Sequence, residues 1–153
     1  MDFLLGGSLG GLIAFVFSVP AMVFEYLEKE SDVAPPLVVQ VKTIFGFTLK
    51  KSEVFLTGLL FHICTGFLFG LVYILFVEQD WLFVTHRPFS FVSFIVYAFL
   101  SWLATGLVIY PALRMGIFGL KEGKHVWIET LVTHLLLGLC MWLLVKYFQP
   151  IYF

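Results

Sequence analysis

Apolar residues fill this chain in four long runs, separated by one long charged connection and two short ones. The runs cover residues 4–24, 54–77, 89–113 and 126–145. At about 1.5 Å per helical residue, roughly 20 residues cross a hydrocarbon core of about 30 Å, so each run predicts a membrane-spanning helix. Pro20 is placed to kink the last turns of the first helix. Gly6, Gly7, Gly10 and Gly11 form two overlapping small-xxx-small pairs, which permit close backbone approach to a neighbouring helix. In the third run Ser93, Tyr97, Ser101 and Thr105 lie four apart and predict one polar stripe facing other helices, with Trp102 and Gly106 beside it. Lys146 closes the fourth run by reaching to the interface.

The connections are read in the same way. EYLEKESDVAPP is charged and ends in a proline pair, which marks a solvent-exposed turn after the first helix. Behind Pro36, Leu37, Val41, Ile44 and Phe45 recur at helical spacing, predicting a short interfacial helix over residues 36–46. EQDWLFVTHRP carries Trp81, an aromatic suited to the headgroup layer.

Two stretches match each other with one gap, IFGFTLKKSEVFLTGLLFHICTG and IFGLKEGKHVWIETLVTHLLLG. Ile44-Phe45-Gly46 falls on Ile117-Phe118-Gly119, and His62-x-x-x-Gly66 on His134-x-x-x-Gly138. The first and third runs match more loosely, through Pro20-Ala21-Met22 and Pro111-Ala112-Leu113. The predicted fold is all-α: a single domain over residues 1–153, with four transmembrane helices as two tandem hairpins. The hairpins would form a parallel pseudo-repeat about an axis along the membrane normal.

Composition supports that class. Of 153 residues, 61% are hydrophobic and only 12% charged, with a mean hydropathy of +1.02, which lies outside soluble proportions. A net charge of −1 without a clustered basic face gives no reason to expect nucleic acid. Cys64 and Cys140 fall inside apolar runs and read as small buried hydrophobes. No Lys or Arg precedes the first run, so the positive region of a cleavable signal peptide is missing and the first helix is expected to be retained. Lys29, Lys42, Lys50, Lys51, Arg114, Lys121 and Lys124 lie on one side, against Arg87 and Lys146 on the other. The positive-inside rule therefore predicts a cytoplasmic (inner) membrane protein with both termini outside the cytoplasm.

Candidate chemistry centres on the two histidines within apolar runs, each eight residues past the start of its run and thus level, about 12 Å below one surface. His62, Gly66 and Gly70 form one stripe, with Gly58 a turn earlier; His134, Gly138 and Trp142, with Thr130 a turn earlier, form its counterpart. Ionisable residues in spans face the bundle interior or a water-filled cavity. One reading is structural, each imidazole bonding to the polar stripe or to a backbone carbonyl. A second makes His62 and His134 the axial ligands of a haem b for electron transfer, with the glycine one turn away leaving room for the porphyrin. A third is a pathway for protons or a small solute, through the histidines with Glu129, Thr130, Thr133, Ser93, Ser101 and Thr105. Glu129 lies about 140° around the helix from His134, so no metal site is assigned to that pair. His86 and His125 fall in connections and receive no role. HExxH, CxxC, GxSxG and Walker A patterns are absent, so the chain gives no support for an enzyme.

The glycine-rich first helix, the repeated His-x-x-x-Gly and the Gly-x-Phe-Gly element before the last span resemble those of uncharacterised small four-span membrane proteins of bacteria and archaea. That resemblance implies the topology and no chemistry. The leading functional expectation is a structural, assembly or accessory membrane subunit. The glycine face of the first helix (Gly6, Gly7, Gly10, Gly11), with Gly66, Gly70 and Gly138, would supply helix packing, and the first helix would favour a homo-oligomer or a larger complex.

Overall fold

The computed structural model describes residues 3–27, 41–81 and 86–152. Four helices in it are long and apolar enough to cross a membrane, over Phe3–Val23, Glu53–Glu78, Phe91–Ala112 and Val126–Phe148. Their elements are α1 (Phe3–Leu27), α2 (Lys51–Glu78), α3 (Phe91–Ala104) and, after two interposed turns, α4 (Tyr110–Ala112) and α5 (Val126–Tyr152). Pro20 lies inside α1 without ending it. The last helix outruns the predicted end at 145, because its apolar run continues past Lys146 through Tyr147 and Phe148.

Helices α1 and α2 form one tightly packed pair, and α3 and α5 a second. Both pairs run antiparallel. Along the first, Gly6 meets Gly70 and Ile74 while Gly10 meets Gly66. A Cβ added at Gly6 would stand 2.6 Å from the Ile74 side chain and 2.9 Å from the Gly70 carbonyl oxygen, and Gly10 would drive one into the Gly66 carbonyl. Gly7 and Gly11 pack on Phe67. Backbone thus lies directly on backbone, which only residues lacking a Cβ permit. In the second pair Gly138 does this work, with its missing Cβ 3.0 Å from the Ala98 side chain and the Phe94 carbonyl oxygen.

An aromatic layer joins the two pairs. Tyr73 of α2 stacks on Phe94 of α3 with centroids 4.2 Å apart, and Tyr97 stands edge-on to Phe69 at 4.7 Å. The Tyr97 hydroxyl donates to the Phe69 carbonyl oxygen at 2.8 Å, and Tyr73 donates to that of Pro88. Buried tyrosines need such partners for their hydroxyls, so each fixes a ring and a helix spacing at once. Ile13, Ile74, Leu137, Met141 and Val145 complete the core.

The first correction concerns residues 41–46. In place of the predicted interfacial helix, Thr43–Ile44 (β1) and Phe47–Thr48 (β2) pair antiparallel, Ile44 opposite Phe47; residues 36–40 lie outside the described residues. Phe45 (φ +49°) and Gly46 (φ +89°) make the turn. Positive φ at both central residues matches the right-handed twist of the flanking strands, which is why two-residue hairpins use this turn. A bulky residue at positive φ is unusual, so the helical spacing of Ile44 and Phe45 was a misleading cue. The Phe45 N–H donates to the Leu113 carbonyl oxygen at 3.1 Å and that of Lys42 to Glu122 Oε2 at 2.6 Å. The hairpin is thereby fastened to the connection before α5, across the same end of the bundle.

Candidate functional site

Between the two helix pairs, beneath the hairpin, lies a chamber of about 70 Å³. His62 enters it from α2 and His134 from α5; Thr65, Thr105, Thr130, Thr133 and Tyr110 supply most of its other polar groups, and Val41, Leu113 and Met115 close the hairpin end. Among the described residues the lining includes no Asp, Glu, Lys or Arg. By volume and wall chemistry it suits a few waters or one small polar group.

Hydrogen bonds fix what the wall can offer. His134 Nδ1 lies 2.7 Å from the Thr130 carbonyl oxygen. A carbonyl only accepts, so Nδ1 carries the proton, and in the neutral ring Nε2 is left as an acceptor. The Thr105 hydroxyl lies 3.4 Å from that Nε2, a long contact. Thr130 donates its hydroxyl to the Val126 carbonyl oxygen at 2.8 Å, and Thr133 donates to that of Glu129. Thr130 is also hydrogen-bonded to the Tyr110 side chain. His62 lies against the backbone of Ala14, but its Nε2 is buried with no hydrogen-bond partner among the described residues. A buried polar atom left unpaired costs free energy comparable to a lost hydrogen bond, so this nitrogen marks a place for a guest.

The third helix reaches the chamber through an irregular segment. Residues Thr105–Ile109 form a π-helical turn, closed by the Tyr110 N–H bonding five residues back to Thr105. Pro111 explains it physically: lacking an N–H, it cannot bond to Leu107, and its ring crowds that carbonyl. Beyond α4 the chain turns through Arg114, Gly116, Phe118 and Gly119, all at positive φ. Phe118 covers Gly106 and stacks obliquely on Trp102 at 4.8 Å, and Trp102 Nε1 donates to the Trp127 carbonyl oxygen at 3.0 Å.

The residues expected to share a polar interior separate into groups. His62, His134, Thr105, Thr130 and Thr133 come together in the chamber. Glu129 does not: it is exposed and outside the lining. Ser93 is buried far from it at the start of α3, donating to the Arg87 carbonyl oxygen at 2.6 Å, while Ser101 faces a separate groove between α2 and α3. A four-residue spacing gains about 40° per step on a helix of 3.6 residues per turn, so the stripe winds around α3 instead of keeping one face. Tyr110 and Met115 were not anticipated; Pro111 is the sequence signal that flagged an irregular helix near them.

The haem expectation does not fit this geometry. The chamber's roughly 70 Å³ compares with about 300–1,000 Å³ for sites that hold drug-sized ligands. The glycines assigned to make room for a porphyrin are already covered, Gly66 by Ala14 and Gly10, Gly138 by Phe94 and Ala98. Comparison with protein families, curated protein sequences and solved structures finds no match.

Proposed function

We propose that the chain is an integral membrane protein of two tandem helical hairpins whose histidine chamber relays protons or a small polar solute. Membrane residence is supported by the length and apolarity of the four helices, each with only about a third or less of its most apolar window buried within the chain (28–33%). Such apolar outer faces need lipid or a partner. The tandem-hairpin reading draws support from two correspondences. In both Ile-Phe-Gly turns the phenylalanine and glycine take positive φ, +49° and +89° at Phe45 and Gly46, +52° and +71° at Phe118 and Gly119. In both His-x-x-x-Gly helices the glycine packs on the other helix of its own pair. With the lysine-rich connections facing the cytoplasm, both termini lie outside it, in an inner membrane.

The observation that carries the relay is that imidazoles from two different helices line one cavity with no charged side chain among the described residues. His134 Nε2 is an acceptor with only the long Thr105 contact, and His62 Nε2 has no partner among the described residues. A water between them can pass a proton from one ring to the other, each ring taking it on one nitrogen and retaining its other contact. The accessory-subunit expectation loses its main warrant, because Gly6, Gly7, Gly10 and Gly11 are consumed by packing on α2.

Proteoliposomes with an entrapped pH indicator test the relay. We expect His62→Gln and His134→Gln each to lower proton or solute flux by roughly tenfold, about 1.4 kcal/mol in barrier, with elution profile and thermal midpoint unchanged. Undiminished flux in both folded variants removes the relay.

A further inference from the structure

We propose that the groove between α2 and α3 and the histidine chamber together form one binding site for a lipophilic alcohol, a molecule with an apolar tail and an uncharged hydroxyl head, admitted sideways from the bilayer. The inference takes from the preceding proposal only that the helices span a membrane; it does not require flux.

The groove encloses about 270 Å³. Phe69 and Tyr97 form its buried floor, and Leu68 and Leu100 stand at its exposed rim. It exists because α2 and α3 meet through the large rings of Tyr73, Phe94 and Tyr97 rather than through glycines, so their backbones stay apart where those rings end. Along α2 it runs from Thr65 to Phe76, eleven residues or roughly 16 Å, about half the hydrocarbon thickness. At one end it adjoins the chamber, since Thr65, Thr105 and Ile109 line both cavities. An apolar slot thus lies beside a largely apolar chamber that carries a few polar groups, and the proposed site spans both.

The chemistry of the walls selects the head. Among the described residues neither lining has a charged residue of either sign, so a carboxylate or phosphate would lose its hydration without a counter-charge there. Thr133 offers an acceptor, since its own proton goes to a backbone carbonyl. The wall holds hydroxyls that can donate, those of Thr65, Thr105 and Tyr110, beside oxygen and nitrogen acceptors. A hydroxyl both donates and accepts, and it satisfies His62 Nε2 in either tautomer of that ring. The chamber also lies deep, with His62 eight residues past Val54, about 12 Å from the boundary. A small neutral head reaches that depth at far lower cost than an ionised one.

The test uses the full chain in lipid nanodiscs with a diazirine-bearing hexadecanol, photolysis and mass spectrometry of the adducts. Adducts are expected to concentrate on the peptides holding Leu68, Val72, Leu100 and Ala104. Unlabelled hexadecanol should displace them roughly tenfold better than hexadecane or hexadecanoate, a difference of about 1.4 kcal/mol. Ala104→Trp, which fills the groove, should suppress them; Leu100→Phe serves if that variant does not fold. His62→Leu should abolish the preference for alcohol over alkane while the tail adducts persist. Adducts spread evenly over outward residues such as Leu12, Val16 and Val108, or equal competition by hexadecane, overturn the proposal. So does unchanged labelling in a folded groove-filling variant. Loss of flux in His62→Gln with labelling retained, or the reverse, separates this site from the relay.

Discussion

At the scale of single residues, the protein depends on what is missing from glycines and on where a few protons go. Gly10 lies against the Gly66 carbonyl oxygen, which cannot move without moving α2, whereas a Cβ at Gly11 would find its nearest neighbour, Phe67 Cβ, at an ordinary 3.5 Å. Gly10→Ala should therefore destabilise by about 1–3 kcal/mol through overpacking. Gly11→Ala should be neutral or slightly stabilising, alanine being the better helix former by roughly 1 kcal/mol. Thermal midpoints in detergent compare the two, and equal losses would mean that helix contact is not the cause. The same scale shows what a sequence can reveal. His62, His134 and the threonines of α5 stand out because polar groups are costly in an apolar run, and they do share a chamber. Ser93, Ser101 and Glu129 carried the same signal without sharing it, since a capping contact, a winding helix face and an exposed helix start give polar residues other partners.

At the scale of elements, the four long helices were legible from apolar length alone, and their close-packing glycines from spacing. The hairpin was not. Its turn places Phe45 at positive φ, a conformation that the residue type disfavours, and the contacts that hold it come from residues far along the chain. Lys42 and Glu122, 80 positions apart, form one such contact. Hydrogen bonds to charged groups contribute about 1.5–3 kcal/mol. Glu122→Ala should therefore speed exchange of the Lys42 amide by roughly tenfold or more, read by hydrogen–deuterium exchange, with amides in the middle of α2 unaffected. An unchanged Lys42 amide would show that the cap is held by other contacts. The π-helical turn was equally hidden: Pro111 signals an irregular helix, but the choice between a kink and a π turn depends on how Thr105 and Phe118 pack around it.

At the scale of the whole molecule, the connection before α2 and the one before α5 meet at one end, through Phe45 with Leu113 and Lys42 with Glu122. In the proposed topology the positive charge on those connections faces the cytoplasm. With Cys64 and Cys140 replaced by serine, an impermeant maleimide on intact cells should label Gln79→Cys and spare Lys121→Cys; the opposite pattern would reverse the topology. The account as a whole turns on the shared chamber, and magnetic resonance of the imidazoles in lipid bilayers tests it most directly. With His86 and His125 replaced by glutamine, nitrogen-15 spectra should show His134 protonated at Nδ1. Both remaining rings should exchange magnetisation with one pool of confined water and show no contact with acyl-chain protons. Acyl-chain contacts at either ring, or only one ring reaching water, would contradict it.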